Sequence, residues 1–432
     1  MTEDKNKNID ENWFDEGLKN IWLPYTQMQT SPAPLPVKTA KGCKIILQDG
    51  RELIDGIASW WSVCHGYQNE HIISEMKKQA DQLSHIMFAG LAHQPAYKLA
   101  NRLASITPEG LNRVFFSDSG STAVEVAMKM AAQFWGNKGE RRMRKFISFH
   151  NGYHGDTMGA LSLSDPDGWI AKAFNNYMPR QYVIDIPKDE YDFAEFEDII
   201  ISAKSDIAGA IIEPLIQGAG GMKFHSADIL AEIYRICKKH DIIFIADEIM
   251  TGFYRTGNVF ACNEAGFTPD IMCVGKALTG GMVSLAATIT KEEVFNAFLD
   301  DKLEKAFMHG PTFMANPLAC SAANASLDLF EKEDFILKIN KIEEILRFEL
   351  TELREHEKVK DVRFKGALAV IQINFENNES PWPYMFELRK KFLQENIWLR
   401  PFSDVIYIMP CYSITEQEIK KLTNAVKKLL NA

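Results

Sequence analysis

Two short apolar runs, each followed by a charged residue, constrain the fold of this chain most strongly. The runs span residues 242–246 and 271–274, and such runs are typical of buried parallel strands in an α/β sheet. Asp247 directly follows the first run, and Lys276 comes just after the second. Because ligands of open α/β sheets bind outside the carboxyl ends of strands, we expect the acid and the amine to converge on one small molecule.

This pair of residues suits pyridoxal phosphate (PLP). A lysine amine can form a Schiff base with the cofactor aldehyde, and a carboxylate can hold the pyridine nitrogen protonated. Lys276 lies in GKALTGG, where glycines allow the backbone to approach a ligand closely. Burying Asp247 alone behind an apolar run would be costly, and a pyridinium nitrogen would compensate its charge. Taken singly, an Asp or Lys at a strand end is usually a solvated loop residue or a helix cap, and it is the neighbouring residues that favour a functional site here.

The composition limits the class of protein. The 432 residues are 46% hydrophobic and 25% charged with a net charge of −10, which is typical of a soluble enzyme of two or three domains and argues against nucleic-acid binding. No apolar segment reaches the ~18 residues of a membrane helix. The polar start MTEDKNKNIDENW lacks the apolar core of a signal peptide, so we expect a cytoplasmic protein.

The cysteines and histidines predict neither disulfides nor a metal site. The seven cysteines are scattered and never spaced as C-x-x-C, which favours reduced thiols. His150 and His154 have a possible ligand spacing, but Gly152 lies between them and no helix pattern brings them to one face.

Near the amino terminus, the sequence predicts a hairpin and then a pair of adjacent tryptophans. Runs 43–47 and 52–54 flank an Asp-Gly turn. Trp60 and Trp61 follow, and they are explained equally by one ring in the core with one at the surface, or by two walls of a substrate pocket. The apolar spacing from residue 71 to 88 predicts a packing helix.

A strand, a turn of small residues and a helix are predicted within VFFSDSGSTAVEVAMKMAAQFW. The helix is expected to begin near Ser121, so the free N–H groups of Gly120, Ser121 and Thr122 could bind a phosphate. Ordinary N-capping by serine or threonine is the alternative.

Later segments extend the predicted sheet. A strand over 145–149 leads to Tyr153, whose ring could stack on a planar cofactor or could be an exposed turn residue. A strand over 207–212 ends at Glu213, before a proline. A helix is predicted from Pro317, and beyond about residue 330 helices and strands alternate in the pattern of a smaller α+β domain.

Several motifs together resemble the class III PLP-dependent aminotransferases of fold type I, over nearly the whole chain. They occur in the order SDSGSTAVEVAMKMA, HNGYHGDTMGA, EPLIQGAGGM, ADEIMTGFYRTG, GKALTGG and HGPTFMANPLA. The resemblance implies an α/β fold with a large domain, built on a mostly parallel central sheet flanked by helices, and a smaller α+β domain from both termini. We divide the chain into an amino-terminal arm with part of the small domain (1–65), a large PLP-binding domain (66–330) and a carboxyl-terminal small domain (331–432).

The resemblance also implies roles for single residues. Lys276 would carry the cofactor, Asp247 would pair with its pyridine nitrogen, and Tyr153 would lie against its face and contact substrate. Gly120 and Ser121 would bind its phosphate. Pro311 and Thr312 would reach the cofactor phosphate of the neighbouring subunit, which implies a homodimer.

The stretches WLPYTQM, DGIASWWSVCHGY and LRPFSDVIYIMP refine the expected substrates. They resemble the branch of the family that transfers the amino group of S-adenosylmethionine to 8-amino-7-oxononanoate by a ping-pong mechanism, giving 7,8-diaminononanoate in biotin biosynthesis. This resemblance assigns pocket walls, a floor and a binding site for the carboxylate of the keto substrate. The residues are Tyr25, Trp60 and Trp61 for the walls, Gly310 for the floor and Arg400 for the carboxylate, with Arg255 as a weaker candidate.

Alternatives remain open at this point. Lysine, ornithine or 4-aminobutyrate could be the donor, the enzyme could be an aminomutase, or the fold could serve a non-catalytic protein. Tyr254 and Ala315 stand where many relatives would be expected to carry glycine.

Overall fold

A seven-stranded sheet lies at the centre of the computed structural model, which describes residues 12–140, 145–375 and 380–431. The strand order is β4-β12-β11-β10-β7-β5-β6, and β12 runs antiparallel to both of its neighbours while the other adjacent pairs are parallel. The strands are β4 (Leu111–Ser117), β5 (Lys145–Phe149), β6 (Tyr182–Ile184), β7 (Ile207–Ile212), β10 (Ile243–Asp247), β11 (Ile271–Val274) and β12 (Ala286–Lys291). The predicted mostly parallel sheet is confirmed, and Asp247 is the last residue of its strand.

Both faces of this sheet are covered. Along β10, Ile243 and Ile245 belong to one apolar cluster, whereas Phe244 and Ala246 belong to another. This alternation follows from the two-residue period of a strand, which sends successive side chains to opposite faces. Because both faces are buried, the strand reads as a continuous apolar run.

Thirteen right-handed α-helices are described in residues 12–140, 145–375 and 380–431, apart from short 3₁₀ turns and a left-handed turn over residues 58–61. They are α1 (Trp13–Leu18), α2 (Glu70–Gln82), α3 (Gln94–Ile106), α4 (Gly120–Asn137), α5 (Met158–Ser162), α6 (Glu190–Ala203), α7 (Ala227–Lys239), α8 (Cys262–Ala265), α9 (Glu292–Asn296), α10 (Pro317–Lys332), α11 (Phe335–Leu350), α12 (Trp382–Gln394) and α13 (Glu416–Leu430). The helix predicted from Pro317 is confirmed. The helix predicted over 71–88 ends already at Gln82, where the chain turns extended at Leu83.

Segments from both ends of the chain form a second sheet, of order β1-β2-β3-β15. Its strands are β1 (Val37–Lys41), β2 (Lys44–Leu47), β3 (Glu52–Asp55) and β15 (Ile397–Trp398). The predicted hairpin is confirmed by the antiparallel pairing of β2 and β3, whereas β1 was not predicted. The parallel pairing of β15 with β3 joins the two ends of the chain.

A third sheet, of order β13-β14-β16, lies in the carboxyl-terminal part. It consists of β13 (Val359–Phe364), β14 (Ala369–Ile373) and β16 (Val405–Ile408), and a short pair is formed by β8 (Ile216–Gln217) and β9 (Lys223–Phe224). The division into domains at residues 65 and 330 stays a prediction.

One expectation about the cysteines is wrong. Cys43 and Cys411 form a disulfide although 368 residues separate them. The turn between β1 and β2 lies against the segment after β16, a contact that cysteine spacing could not reveal. The other five cysteines are free and buried. Among the helices described, none has the length and apolar character needed to cross a membrane.

Candidate active site

A cavity of about 600 Å³ lies at the carboxyl ends of the central strands. It brings together most of the residues singled out from the sequence. Those that line it are Tyr25, Trp60, Trp61, Gly120, Ser121, Tyr153, Asp247, Lys276 and Arg400. Gly310, Pro311 and Thr312 are not among its lining residues in the described part of the chain.

The neighbouring strands β10 and β11 place Asp247 and Lys276. Asp247 is paired with Cys273 in the parallel register, and Lys276 follows three residues later at the start of a 3₁₀ turn. The backbone of Lys276 is left-handed, with φ of 42°, and its Nζ lies 4.9 Å from the centroid of the Trp61 ring. Burial lowers the pKa of the Lys276 amine, against the opposing charges of Asp247 and Glu213.

Glycine is required after this lysine. Gly281 has φ of +80°, and a Cβ there would lie 2.9 Å from Cα of Val63. The Lys276 loop therefore packs directly on the segment that carries the paired tryptophans, which only a residue without a side chain permits.

His154 is the buried partner of Asp247. Both residues are less than 5% exposed, and His154 Nδ1 lies 2.7 Å from Asp247 Oδ2. Because an ionised carboxylate only accepts hydrogen bonds, Nδ1 is the donor. Asp247 Oδ1 accepts a hydrogen bond from the Ile249 N–H at 3.2 Å and has lone-pair capacity for one more donor. In the sequence, His154 is marked only by a possible metal-ligand spacing with His150, which does not indicate this role.

Glu213 is a second buried acid that the sequence marked only as a strand end. It lines the cavity, is 5% exposed and accepts hydrogen bonds from the N–H groups of Tyr153 (3.0 Å) and Gly218 (2.9 Å). Burial raises the pKa of Glu213 to about 7, to which Asp247 adds while His154 opposes it. Its position after a buried strand, like that of Asp247, was the available signal.

The first turn of α4 meets the cavity. Ser119 and Thr122 form a capping box, in which Ser119 Oγ accepts from the Thr122 N–H and Thr122 Oγ1 accepts from the Ser119 N–H. The capping alternative is therefore confirmed for these two residues, while Gly120 and Ser121 line the cavity. Ser121 Oγ already accepts a hydrogen bond from the Asp156 N–H at 2.8 Å. The N–H groups of a first helical turn lack partners within the helix and suit a phosphate.

The paired tryptophans lie on one left-handed turn. Residues 58–61 have φ of 46°, 49°, 59° and 74° in order, a conformation that costs about 1–2 kcal/mol per residue with a side chain. The carboxylate of Asp55 holds this turn by accepting hydrogen bonds from the N–H groups of Ile57 and Ser59, both at 2.8 Å. Trp61 is 8% exposed and Trp60 is 39% exposed, so one ring is buried and one is at the surface, and both also line the cavity.

A carboxylate joins two of the predicted tyrosines. The hydroxyls of Tyr25 and Tyr153 both donate to Asp156, at 2.6–2.7 Å. Burial and the Asp156 carboxylate raise the pKa of Tyr25 to about 12, so its hydroxyl stays protonated. Asp156 was not predicted.

Arg400 lies above Trp60, with 4.5 Å between the guanidinium carbon and the ring centroid. Burial lowers the pKa of Arg400, yet an arginine remains charged at neutral pH. Arg389, which the sequence did not reveal, also lines the cavity and donates from Nε and Nη2 to the Pro401 carbonyl at 2.9 and 2.6 Å. It thereby fixes the backbone beside Arg400.

The weaker candidate, Arg255, is part of the core. It is 1% exposed, donates to the Pro410 carbonyl at 2.8 Å and lies 4.6 Å above the Tyr412 ring. It is not among the residues lining the cavity. Tyr254 and Ala315 have φ of 69° and 54°, which is the left-handed backbone that explains the expectation of glycine at both positions.

Known proteins resemble this chain over nearly its whole length. The aminotransferase class-III family model matches residues 25–430. A Buchnera aphidicola (subsp. Schizaphis graminum) protein named adenosylmethionine-8-amino-7-oxononanoate aminotransferase is 41% identical over 97% of this chain and 96% of its own length. A Mycobacterium leprae protein of the same name is 38% identical over 94% of each chain.

Solved structures of aminotransferases also superpose closely on this chain. The crystal structure of adenosylmethionine-8-amino-7-oxononanoate aminotransferase from Methanocaldococcus jannaschii superposes with a TM-score of 0.91 at 35% identity, covering 98% of this chain and 99% of that one. An omega transaminase from Pseudomonas jessenii, solved in complex with PMP, gives a TM-score of 0.91 at 26% identity over 97% of both chains. The chain belongs to the aminotransferase class-III family.

Proposed function

We propose that this protein is a PLP-dependent aminotransferase that passes the amino group of S-adenosylmethionine to 8-amino-7-oxononanoate, giving 7,8-diaminononanoate in biotin biosynthesis. The observation that carries the proposal is one cavity with Lys276 and Asp247 at its inner end and Trp60 with Arg400 at its outer end. Relatives named for this activity match nearly the full length of the chain.

The residues of the inner end fit the cofactor. Lys276 would supply the amine, Asp247 Oδ1 could accept the pyridinium N–H, and the N–H groups of the first turn of α4 could bind the phosphate. The Tyr153 ring lines the same cavity. Bound PLP supplies an aldehyde that condenses with amines and a ring that withdraws electrons from the substrate α-carbon.

Lys276 moves the proton. Burial lowers the pKa of its amine, which favours the neutral form that a general base needs. In our proposal this amine would take the proton from the α-carbon of the donor and carry it as the ammonium until it is returned within the same site, while bound PLP would supply the electron-withdrawing ring. The same amine serves in reverse for the acceptor.

Asp247 and its partner provide fixed charge. His154 donates to one carboxylate oxygen of Asp247 at 2.7 Å. The other oxygen accepts from the Ile249 N–H and can take one more donor. A negative charge held in place at this end stabilises positive charge on a bound ring without reorganisation during the reaction.

The outer end binds the acceptor. A chain of methylene groups needs apolar walls, and the lining offers Tyr25, Trp60 and Trp61. Arg400 provides a planar pair of donors for a terminal carboxylate. Asp156 orients the hydroxyls of Tyr25 and Tyr153 and so fixes two of the walls.

We also propose a homodimer in the cytoplasm. Exposed apolar side chains gather around two adjacent segments, with Met87 and Leu91 in one and Met308 and Phe313 in the other, and the rings of His85 and Phe313 are in contact. Such surfaces are typical of subunit interfaces. Gly310, Pro311 and Thr312 lie in the second segment, where they would serve the partner's cavity as its floor and phosphate contact.

Mixing the holoenzyme with single amines tests the reaction. S-adenosylmethionine, lysine and ornithine are added separately, and the visible absorbance of the bound cofactor is followed. We expect only S-adenosylmethionine to remove it, and 8-amino-7-oxononanoate to restore it. A response to lysine alone would make lysine the donor, and no response to any amine would favour a non-catalytic protein.

A further inference from the structure

The outer part of the cavity carries aromatic side chains that the reaction scheme leaves without a role. Trp169 and Trp382 both line it, and their ring centroids lie 5.4 Å apart in an edge-to-face arrangement. The rings of Trp169 and Tyr25 also pack edge-to-face, with their centroids 5.6 Å apart. The two tryptophans are 213 residues apart in sequence (382 − 169), so the fold brings them together at this place.

Helix α12 directs one face at the cavity. Trp382, Phe386 and Arg389 stand at positions i, i+4 and i+7, which is the spacing of a single helical face, and all three are lining residues. Trp382 lies in the first turn and packs on Phe386 at 6.0 Å. The helix therefore contributes an aromatic end and a cationic end to the same wall.

Trp169 keeps an open surface. It is 46% exposed, although tryptophans bury large apolar areas when their only role is packing. Trp60 differs, because the guanidinium of Arg400 already lies over its ring at 4.5 Å. The Trp169 indole is thus an available aromatic surface beside the acceptor walls.

A second cavity adjoins the first at Trp169 and Trp382. It has a volume of about 400 Å³, and its lining includes the polar residues Asn151, Asp167 and Ser403. A hydrocarbon chain can pack on aromatic rings but makes no hydrogen bonds with the polar residues beside them. A purine nucleoside suits both, since its base has π-faces and its sugar has hydroxyls.

We infer that Trp169 and Trp382 form a stacking site for the purine base of the amino donor. The inference rests on the proposed function, because the donor proposed there carries an adenosine unit and a sulfonium cation. The base lies against the indole surfaces, and the cation is attracted to the electron-rich faces of neighbouring aromatic rings. Arg400 binds the acceptor carboxylate, so the two substrates share the inner end and diverge at the outer end.

Adenosine binding tests this assignment without turnover. Calorimetric titration of the PLP-loaded enzyme with adenosine is compared for the wild type and for Trp169→Ala, Trp382→Ala and Trp169→Phe. Removing an aromatic partner of a stacked base weakens binding by about tenfold to a hundredfold. We expect that loss in both alanine variants and a smaller one in the phenylalanine variant. The control is Trp13→Ala, which removes a 50% exposed indole of α1 that does not line the cavity.

Steady-state kinetics give the second measurement. The KM for S-adenosylmethionine rises in Trp169→Ala by the same factor, while the KM for 8-amino-7-oxononanoate stays within about twofold. Equal rises for both substrates would overturn the inference and make the pair a general wall. Unchanged adenosine binding in both alanine variants would overturn it as well. If an alanine variant does not retain its cofactor, Trp169→Phe is used instead. Its adenosine affinity and its KM values for the two substrates are compared with those of the wild type.

Failure of the proposed function gives a different pattern. If the wild-type enzyme binds no adenosine and its cofactor is converted by lysine alone, both the proposed donor and the proposed stacking site are refuted. If S-adenosylmethionine converts the wild-type enzyme and the tryptophan variants bind it normally, only the proposed stacking site is refuted.

Discussion

The inner and outer ends of the cavity are built in different ways. At the inner end, Asp247, His154 and Glu213 are each no more than 5% exposed and hydrogen-bonded. At the outer end, Tyr25, Trp60 and Trp169 are 39–46% exposed. The inner groups follow or end strands of one sheet, whereas the outer groups come from an arm, a left-handed turn, a loop and helix α12.

Because of this difference, chemistry and selectivity can be altered separately. Groups at the inner end share charges and hydrogen bonds, so the loss of one changes the others. Groups at the outer end meet the ligand from separate segments and can be replaced while the sheet stays intact. The comparison predicts that variants of the inner end impair both half-reactions, while variants of the outer end impair one.

Replacement of Lys276 gives the largest expected effect. In Lys276→Ala the general base is lost, so turnover falls below detection in both half-reactions and the visible absorbance of the lysine-bound cofactor disappears. Lys276→Arg keeps the positive charge and is expected to be equally inactive. Absorption spectra and single-turnover assays check this, and a variant that still absorbs and turns over would refute the assignment of Lys276.

Replacement of Arg400 gives a smaller and one-sided effect. Loss of a charge-assisted pair costs about 1.5–3 kcal/mol, so Arg400→Ala should raise the KM for 8-amino-7-oxononanoate about tenfold to a hundredfold. Conversion of the cofactor by the donor should stay within about twofold. Arg400→Lys, which lacks the planar fork, should lie between. An equal loss in both half-reactions would show that the two ends cannot be separated.

The stability of the inner end should depend on pH through Glu213. Burial raises the pKa of Glu213 to about 7 from an ordinary value of 4.5. The folded cofactor-free chain therefore binds a proton that the unfolded chain has lost, and the free energy of unfolding falls as pH rises from about 4.5 to about 7. The pKa difference corresponds to a loss of about 3 kcal/mol.

Urea unfolding at pH 5.5 and pH 8 measures this term. Glu213→Gln removes the titrating group, so the free energy of unfolding should differ less between the two pH values than in the wild type. Glu357→Gln, at an exposed position, serves as the control and should keep the wild-type difference. An unchanged difference in Glu213→Gln would mean that this carboxyl titrates at its ordinary value.

The sequence revealed the inner end better than the outer end. Asp247 and Lys276 could be predicted because buried parallel strands read as apolar runs and their carboxyl ends share one edge. Glu213 carried the same signal but was read only as a strand end. His154 was missed because its partner lies 93 residues away, a pairing that local spacing does not encode.

The outer end depends on long-range packing. Arg389 and Trp382 reach the cavity only because α12 lies against it. Asp156 orients Tyr25 only because the amino-terminal arm brings the two residues together. The left-handed turn at residues 58–61 contains no glycine, so nothing in its composition marks the conformation. It is imposed by the hydrogen bonds of Asp55.

The parallel pairing of β15 with β3 affects how the protein folds during its synthesis. Residue 54 leaves the ribosome 343 residues before residue 397, its partner in the pair (397 − 54). At about 5–20 residues per second, that interval is on the order of tens of seconds. During this time the hairpin has an unpaired edge beside the tryptophan turn, which is the type of surface that chaperones shield. The edge of β3, two residues before the turn that carries Trp60 and Trp61, is therefore paired only after almost the whole chain has been made.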